Sequence, residues 1–311
     1  MPPRYPKVSV IGAGIVGSTI AIALFKKGYS IVSIIDRISG SAIGLARSVK
    51  CKKASTQITD IAPNSNIILI AVSDDAIETV ALQLSKVKIN NIKKLLVIHC
   101  SGVYSADILQ PIRKKCAATA SMHPIQTFPT SQRGGKLLSK LKGIYYGIDG
   151  DPEAIQMVEK IVQDLGGKSV VIQKELKPLY HIACVFASNY MTMFLNAVND
   201  LARTLNLKAS WTEVFGPLMT TTMENVVRES APSALTGPIV RNDISTIELH
   251  LKTLLQYAPQ FLPLYTIGGI EIARIAKENQ RINQESFNDI VAKFRKFIQT
   301  NSIKKITKVK R

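Results

Sequence analysis

Gly12-Ala13-Gly14-Ile15-Val16-Gly17 has the spacing G-x-G-x-x-G. In such a run the first glycine turns the chain tightly, and the second lets a pyrophosphate approach the backbone. The third lets a helix pack closely on a strand. Ile15 and Val16 open that helix, so its free N–H groups and positive dipole end would face the phosphates. The strand expected next ends in Asp36, 19 residues after Gly17, where a carboxylate can hold the ribose hydroxyls of NAD. Arg37 beside it can take the 2′-phosphate of NADP or stack on adenine. The expected cofactor is therefore NAD or NADP, with Asp36 tipping the balance slightly towards NAD. Val72 and Ser73 close a further strand and should line the same cleft. His99, Ser101 and Gly102 end another and should face the nicotinamide. Asp75 reads as a helix cap.

The chain has four histidines: His99, His123, His181 and His250. Imidazole titrates near working pH and suits general acid–base work. His123 opens the rigid loop Met122-His123-Pro124-Ile125-Gln126-Thr127-Phe128-Pro129, in which Gln126 is a candidate substrate ligand. At 100° per residue Ser188 returns to within about 20° of His181, and Asn189 stands about 80° round. One helical face would thus present an imidazole and a hydroxyl with an amide nearby. His181 is the first candidate acid or base and His123 the second, with Ser188 and Asn189 holding the reacting oxygen or nitrogen. Further along, Thr236-Gly237-Pro238 makes a turn before Arg241 and Asp243. Arg241 could grip a carboxylate in bidentate fashion, with Asp243 orienting it. Equally, Asp243 could cap the helix that runs to His250.

The elements that must position these residues follow from periodicity. Strand-like and helix-like segments alternate through the first ~150 residues, as in a parallel sheet with crossover helices. Strands are expected at Lys7–Ile11, Ser30–Asp36, Asn66–Val72, Lys94–Ile98, Ala117–Met122 and Gly143–Ile148, with Ser169–Ile172 added last. Helices are expected at Ile15–Lys27, Ser41–Val49, Asp75–Leu84 and Pro152–Leu165. Beyond these the pattern is helical: Lys177–Leu205, Ser210–Glu229, Asp243–Leu255, Pro259–Glu278 and Gln284–Gln299. The organisation expected is a nucleotide-binding domain over 1–172, a helical substrate and dimerisation domain over 173–299, and a basic tail over 300–311.

Composition narrows the class. The chain has 311 residues and a net charge of +18, with 46% hydrophobic residues, enough for about two globular domains. The charge is uneven: 20 basic and 7 acidic residues within 1–150, against 8 and 11 within 151–250. A basic first half suits an anionic cofactor. Nucleic acid is not expected as a partner, because the basic residues lack aromatic interleaving and a binding motif. No apolar run reaches the ~18–20 residues of a membrane span, and the N-terminus has no signal-like core. Cys51, Cys100, Cys116 and Cys184 are scattered without metal spacing, which points to reduced thiols and a cytoplasmic protein.

These segments resemble a family. The Gly12–Gly17 loop, Ala71-Val72-Ser73-Asp74-Asp75-Ala76-Ile77 and His99-Cys100-Ser101-Gly102 carry the first half of the likeness. His123–Pro129, Tyr180-His181 with Ala187-Ser188-Asn189-Tyr190, and Leu235–Asp243 carry the second. Together they look like the Rossmann-like oxidoreductases whose helical second half is a domain of unknown function. Those are distant kin of pyrroline-5-carboxylate reductase, ketopantoate reductase, prephenate dehydrogenase and 6-phosphogluconate dehydrogenase. The resemblance implies an α/β protein. Its N-terminal doubly wound Rossmann sheet would be followed by an all-helical C-terminal domain of the 6-phosphogluconate dehydrogenase type. It implies a small-molecule substrate in an interdomain cleft and a homodimer through the helical halves. The expected activity is hydride transfer between NAD(P) and a small carbonyl, imine or hydroxy acid, without a metal. The alternative is a non-catalytic NAD(P)-binding sensor or scaffold.

Overall fold

The computed structural model describes residues 5–90, 94–115, 118–129, 131 and 134–300. Cys116, Ala117 and the tail over 301–311 lie outside the described residues. The chain divides into two compact units, Met1–Tyr190 and Met191–Arg311.

The first unit is built on one eight-stranded sheet. Its strands are β1 (Lys7–Ile11), β2 (Ser30–Ile35), β3 (Ala54–Ser55), β4 (Ile67–Ile70), β5 (Leu96–His99), β6 (Ala118–Pro124), β7 (Tyr145–Gly150) and β8 (Lys168–Val171). The order is β3-β2-β1-β4-β5-β6-β7-β8. All neighbours run parallel except β6 and β7, which pair antiparallel with His123 opposite Gly147. Through β3-β2-β1-β4-β5-β6 this is the doubly wound nucleotide-binding order. β4 is buried along its whole length, as the continuous apolar run Ile67–Ile70 requires of a strand covered on both faces.

Helices α1 (Ile15–Lys27), α2 (Ser39–Ser48), α3 (Ile77–Leu84), α4 (Gln110–Arg113) and α5 (Pro152–Asp164) connect the strands, and α6 (Lys177–Val185) ends the unit. Alternate residues of the strands feed two cores. Val8, Val10, Leu69 and Ile98 pack with Ile20 and Leu24 of α1 and Ile161 of α5. Ile11, Ile68, Ile70 and Val97 pack with Ile77, Val80 and Leu84 of α3. Gly28 ends α1 in the left-handed conformation, and its N–H reaches the carbonyls of Leu24 and Phe25.

The details differ from the expected elements in several places. The edge strand β3 is too short for a period-two pattern to reveal. The sheet is mostly parallel, with β7 returning antiparallel beside β6 after a connection that lacks a crossover α-helix among its described residues. The expected helix Lys177–Leu205 is interrupted, since Phe186–Tyr190 forms a π turn between α6 and α7 (Met191–Thr204). The first compact unit runs through that π turn, with α6 tied to the sheet by contacts described below.

The second unit holds α7, α8 (Trp211–Arg228), α9 (Ala231–Ala234), α10 (Ile244–Tyr257), α11 (Leu262–Glu278) and α12 (Gln284–Thr300). Ser210 and Glu213 form a reciprocal capping box at the start of α8. Ile247, Leu251, Ala273, Ala276, Ile290 and Phe294 make its core. Gly269 lets α11 meet α12, since a Cβ there would stand 2.4 Å from Phe294 Cζ. By contrast α7 leaves Met193 and Phe194 exposed, and α8 leaves Leu218, Met223 and Val227 exposed. No helix among the described residues is long and apolar enough to cross a membrane.

Candidate functional site

The glycine loop between β1 and α1 has the geometry its spacing predicts. Gly12 has φ +97°, and a Cβ on it would lie 2.3 Å from the Ala71 carbonyl oxygen, so only glycine makes this turn. A Cβ on Gly17 would stand 2.0 Å from the Gly12 carbonyl oxygen, which is how α1 seats against its own loop. Gly14 differs: a Cβ there meets nothing within 4 Å. Its missing side chain leaves open space in front of the α1 N-terminus. That N-terminus has no side-chain cap and no acidic residue in its first turn. Uncapped N–H groups facing open space beside a bare backbone fit a pyrophosphate.

A cleft of about 570 Å³ runs from this loop along the ends of β1, β2 and β4. Asp36, Arg37, Val72 and Ser73 all line it, together with Thr56 and Gln57 after β3. The residues present thus fit a dinucleotide, NAD or NADP, held by the Gly12–Gly17 loop. The Asp36 carboxylate is also a brace. One oxygen accepts the Ala13 N–H at 2.6 Å and the other the Ile38 N–H at 2.8 Å, which fixes the loop against the end of β2.

Further along the same sheet edge, past β5 and β6, lies a cluster of histidines. His99 is fully buried at the end of β5. Its Nε2–H donates to the Ser105 carbonyl at 3.1 Å, and its Nδ1 accepts the Ser101 N–H at 3.1 Å. Both ring nitrogens are consumed, and burial, then the Lys177 charge, pushes its pKa down to about 4. His99 therefore shapes the turn and has no free edge for a cofactor, a correction to its expected role. The Ser101 hydroxyl likewise accepts the Val103 and Tyr104 N–H groups, each at 3.2 Å. Gly102 is the residue of this turn that faces the cluster. A Cβ on it would stand 2.7 Å from His181 Cδ2 and 3.0 Å from His123 Nε2.

His123, at the end of β6, and His181, on α6, meet edge to face with ring centroids 5.9 Å apart. His123 Nδ1 is 2.7 Å from the Tyr180 hydroxyl. Tyr180 fits because its β7 neighbour is Gly147, where a Cβ would stand 2.4 Å from the hydroxyl oxygen. Beneath them Lys177 is fully buried, its ammonium 2.8 Å from Ser121 Oγ, 3.2 Å from Asp149 Oδ2 and 5.5 Å from the Tyr180 ring centre. Asp149 also accepts the Ala106 N–H at 2.7 Å and the Ser121 hydroxyl. Burial first, then the Lys177 ammonium, depresses the His123 pKa to about 4. Burial also pushes the Tyr180 hydroxyl up, so it stays an O–H.

Of the residues picked from sequence, His123, His181 and Gly102 are brought together. Ser188 and Asn189 sit in the π turn, where the wider winding moves them off the 100° wheel from which their place beside His181 was read. Gln126 Oε1 accepts the Thr127 N–H at 2.8 Å and so folds onto its own loop. In the helical unit Asp243 caps α10, accepting the Thr246 N–H at 3.1 Å and the Thr246 hydroxyl at 2.7 Å. The capping alternative is the arrangement present. Arg241 stands in the turn just before it. His250 Nδ1 pairs with the Tyr265 hydroxyl at 2.8 Å. Sequence reasoning missed Lys177, Asp149 and Ser121. The available signal was a lysine at the start of an apolar helix, where the dipole disfavours a cation. Among the described residues no group of His, Cys, Asp and Glu is arranged to hold a metal ion.

Residues 1–124 match the family model of a Rossmann-like domain, and residues 144–272 match that of DUF2520, a domain of unknown function. The chain joins a Rossmann-like domain to a DUF2520 domain. No curated protein matches it. Among solved structures the chain is similar to BF3122 from Bacteroides fragilis, named as a candidate NADP oxidoreductase. The identity is 23%, 87% of this chain and 99% of that one are covered, and the TM-score is 0.72. Protein TM1727 from Thermotoga maritima is 23% identical over 94% of this chain and 99% of that one, with a TM-score of 0.62. An imine reductase from Myxococcus stipitatus, solved with NADP+, is 12% identical over 95% of each chain, at a TM-score of 0.59. At these identities the likeness establishes the fold. The Rossmann-like match covers the Gly12–Gly17 loop, Asp36, Val72 and the whole His99–Gly102 turn. The DUF2520 match starts at β7 and so takes in Gly147, Asp149, Lys177, Tyr180 and His181.

Proposed function

We propose that this protein is an NAD(P)-dependent oxidoreductase acting on a small carbonyl, imine or hydroxy acid. One observation carries the reading. The open space at Gly14 and the His123–His181 pair at Gly102 lie along one edge of one sheet, a phosphate-binding loop and a polar cluster at the ends of adjoining strands. In open α/β sheets ligands bind outside the carboxyl ends of the strands. The nicotinamide, when bound, supplies or accepts the hydride.

The protein's own residues do the rest. The α1 N-terminus and the Gly12–Gly17 backbone bind the pyrophosphate. Asp36 and Arg37 face the adenosine ribose. Gly102 lets the two imidazoles close against the turn after β5, and these rings orient the substrate and handle its proton. In the reducing direction the carbon gains a hydride and the oxygen or nitrogen a proton. His181 is the proposed proton carrier and His123 its neighbour in the site. Similarity to the imine reductase supports the reaction class. We further propose a cytoplasmic homodimer, supported by the free thiols of Cys51, Cys100 and Cys184 and by the exposed apolar residues of α7 and α8.

The test is calorimetric titration with NAD, NADH, NADP and NADPH, followed by a reductase screen with the form that binds. Binding of one phosphorylation class, and turnover that His181→Ala removes while binding persists, is the expected result. Absence of binding by all four would end the proposal. Binding without turnover of any screened substrate would favour a nucleotide-sensing role.

A further inference from the structure

A fully buried lysine–aspartate pair is a poor way to stabilise a fold. Desolvating the two charges costs about as much as their attraction returns, and apolar replacements often do as well. Lys177 is placed still less favourably, at the first residue of α6, where the dipole repels a cation. Its surroundings give the pair a different purpose. The ammonium is anchored by Ser121 and Asp149 on β6 and β7 and lies under the Tyr180 ring.

Tyr180 in turn has its hydroxyl on His123 Nδ1 at 2.7 Å, with the Cys184 thiol and the Gly147 N–H beside the same oxygen. Of these groups a neutral Nδ1 is the strongest acceptor, since a thiol sulfur accepts only weakly, so the hydroxyl proton goes to Nδ1. The imidazole must then carry its proton on Nε2, the edge against Gly102. The ionisable groups around this ring and its tyrosine are Lys177, Tyr180, His181 and Cys184 on α6, His99 on β5 and Asp149 on β7. The Asp149 carboxylate is spent on Lys177, Ser121 and Ala106, and no carboxylate hydrogen-bonds the ring among the described residues.

We propose that Tyr180 and Lys177 are positioning residues for His123: the Tyr180 hydroxyl fixes the imidazole as its Nε2–H tautomer, and the Lys177 ammonium, buried under the same tyrosine ring, holds that tyrosine against it and puts a positive charge on that side of the site. The site then presents a neutral N–H donor to a substrate oxygen, a carbonyl or a carboxylate. Such a donor polarises a carbonyl without giving up its proton, which leaves proton transfer to His181. The inference rests on the oxidoreductase reading for its substrate.

The experiment is a long-range ¹H–¹⁵N correlation spectrum of the full chain carrying ¹⁵N-histidine, followed from neutral pH to about pH 5. In the wild type His123 should show the Nε2–H pattern and stay neutral over that range. An Nδ1–H pattern, or a midpoint near the ordinary ~6.5, would overturn the proposal. Tyr180→Phe should lose the single tautomer, and an unchanged spectrum would remove Tyr180 from the scheme. Lys177→Met combined with Asp149→Asn takes out both charges, so no buried ion is orphaned. Its His123 midpoint should rise by about one pH unit, whereas Lys177→Arg should leave it unmoved. A double variant that retains the wild-type midpoint refutes the role of Lys177. Should the double variant not fold, the wild-type spectrum still decides whether the ring is neutral, and Tyr180→Phe decides its tautomer. Titrating each sample with NADH and NADPH separates the two readings, because cofactor binding at the Gly12 loop does not depend on the tautomer of His123.

Discussion

Mild acid should weaken this protein more than its carboxylates can explain. His99 and His123 are held neutral by burial and by Lys177, with folded midpoints of about 4. In the unfolded chain each returns to about 6.5. The unfolded state therefore binds the extra protons, so this stability is intact above about pH 6.5 and drains as pH falls towards 4. Linkage over that window gives a loss of about 2 kcal/mol per histidine between neutral pH and pH 5. The two together approach about 4 kcal/mol, a large part of a typical total of about 5–15 kcal/mol. Asp107 and Asp151 are held below the usual carboxylate range by hydrogen bonds and by Arg113, so they protonate below this window. Urea unfolding near pH 7 and near pH 5 reads the difference, as a fall in midpoint at constant slope. His123→Gln removes one of the two contributions and should roughly halve the fall. A wild-type loss under about 1 kcal/mol would refute the buried-neutral assignment of both rings.

Other consequences follow from the glycines. Gly14→Ala places a methyl in space that is open in the free protein, so thermal stability should hold while NAD(P) affinity drops about tenfold or more; calorimetry and a melting curve together read both. Gly17→Ala must displace the loop backbone and should lose cofactor binding and stability together, measured in the same pair of assays. Gly147→Ala drives a Cβ into the Tyr180 hydroxyl and should release the His123 partner, seen as a second tautomer in the ¹⁵N-histidine spectrum. Gly269→Ala pushes on the Phe294 ring in the helical core and should cost about 1–3 kcal/mol in chemical unfolding, with cofactor affinity unchanged.

Much of the first unit was legible in the sequence because its signals are local. The glycine spacing, the run Ile67–Ile70 and the helix Ile15–Lys27 each depend on neighbours within a few residues, and each element stands where periodicity puts it. The same holds for the capping role of Asp243, which is settled by Thr246 three residues on. Less legible were irregular turns and partners far along the chain. His99 looked like a cofactor contact because it ends a strand, yet Ser105 and Ser101 consume its ring. Ser188 and Asn189 were placed on a regular wheel, and a π turn rewound it. Asp149 drew no attention in the sequence, and the antiparallel pairing of β7 with β6 carries it inward to meet Lys177 from α6. No sequence period encodes that meeting. A residue's type and local rhythm fix which strand or helix it joins, but whether a charge is buried, and against what, is decided only when three distant segments close on the same few cubic ångströms.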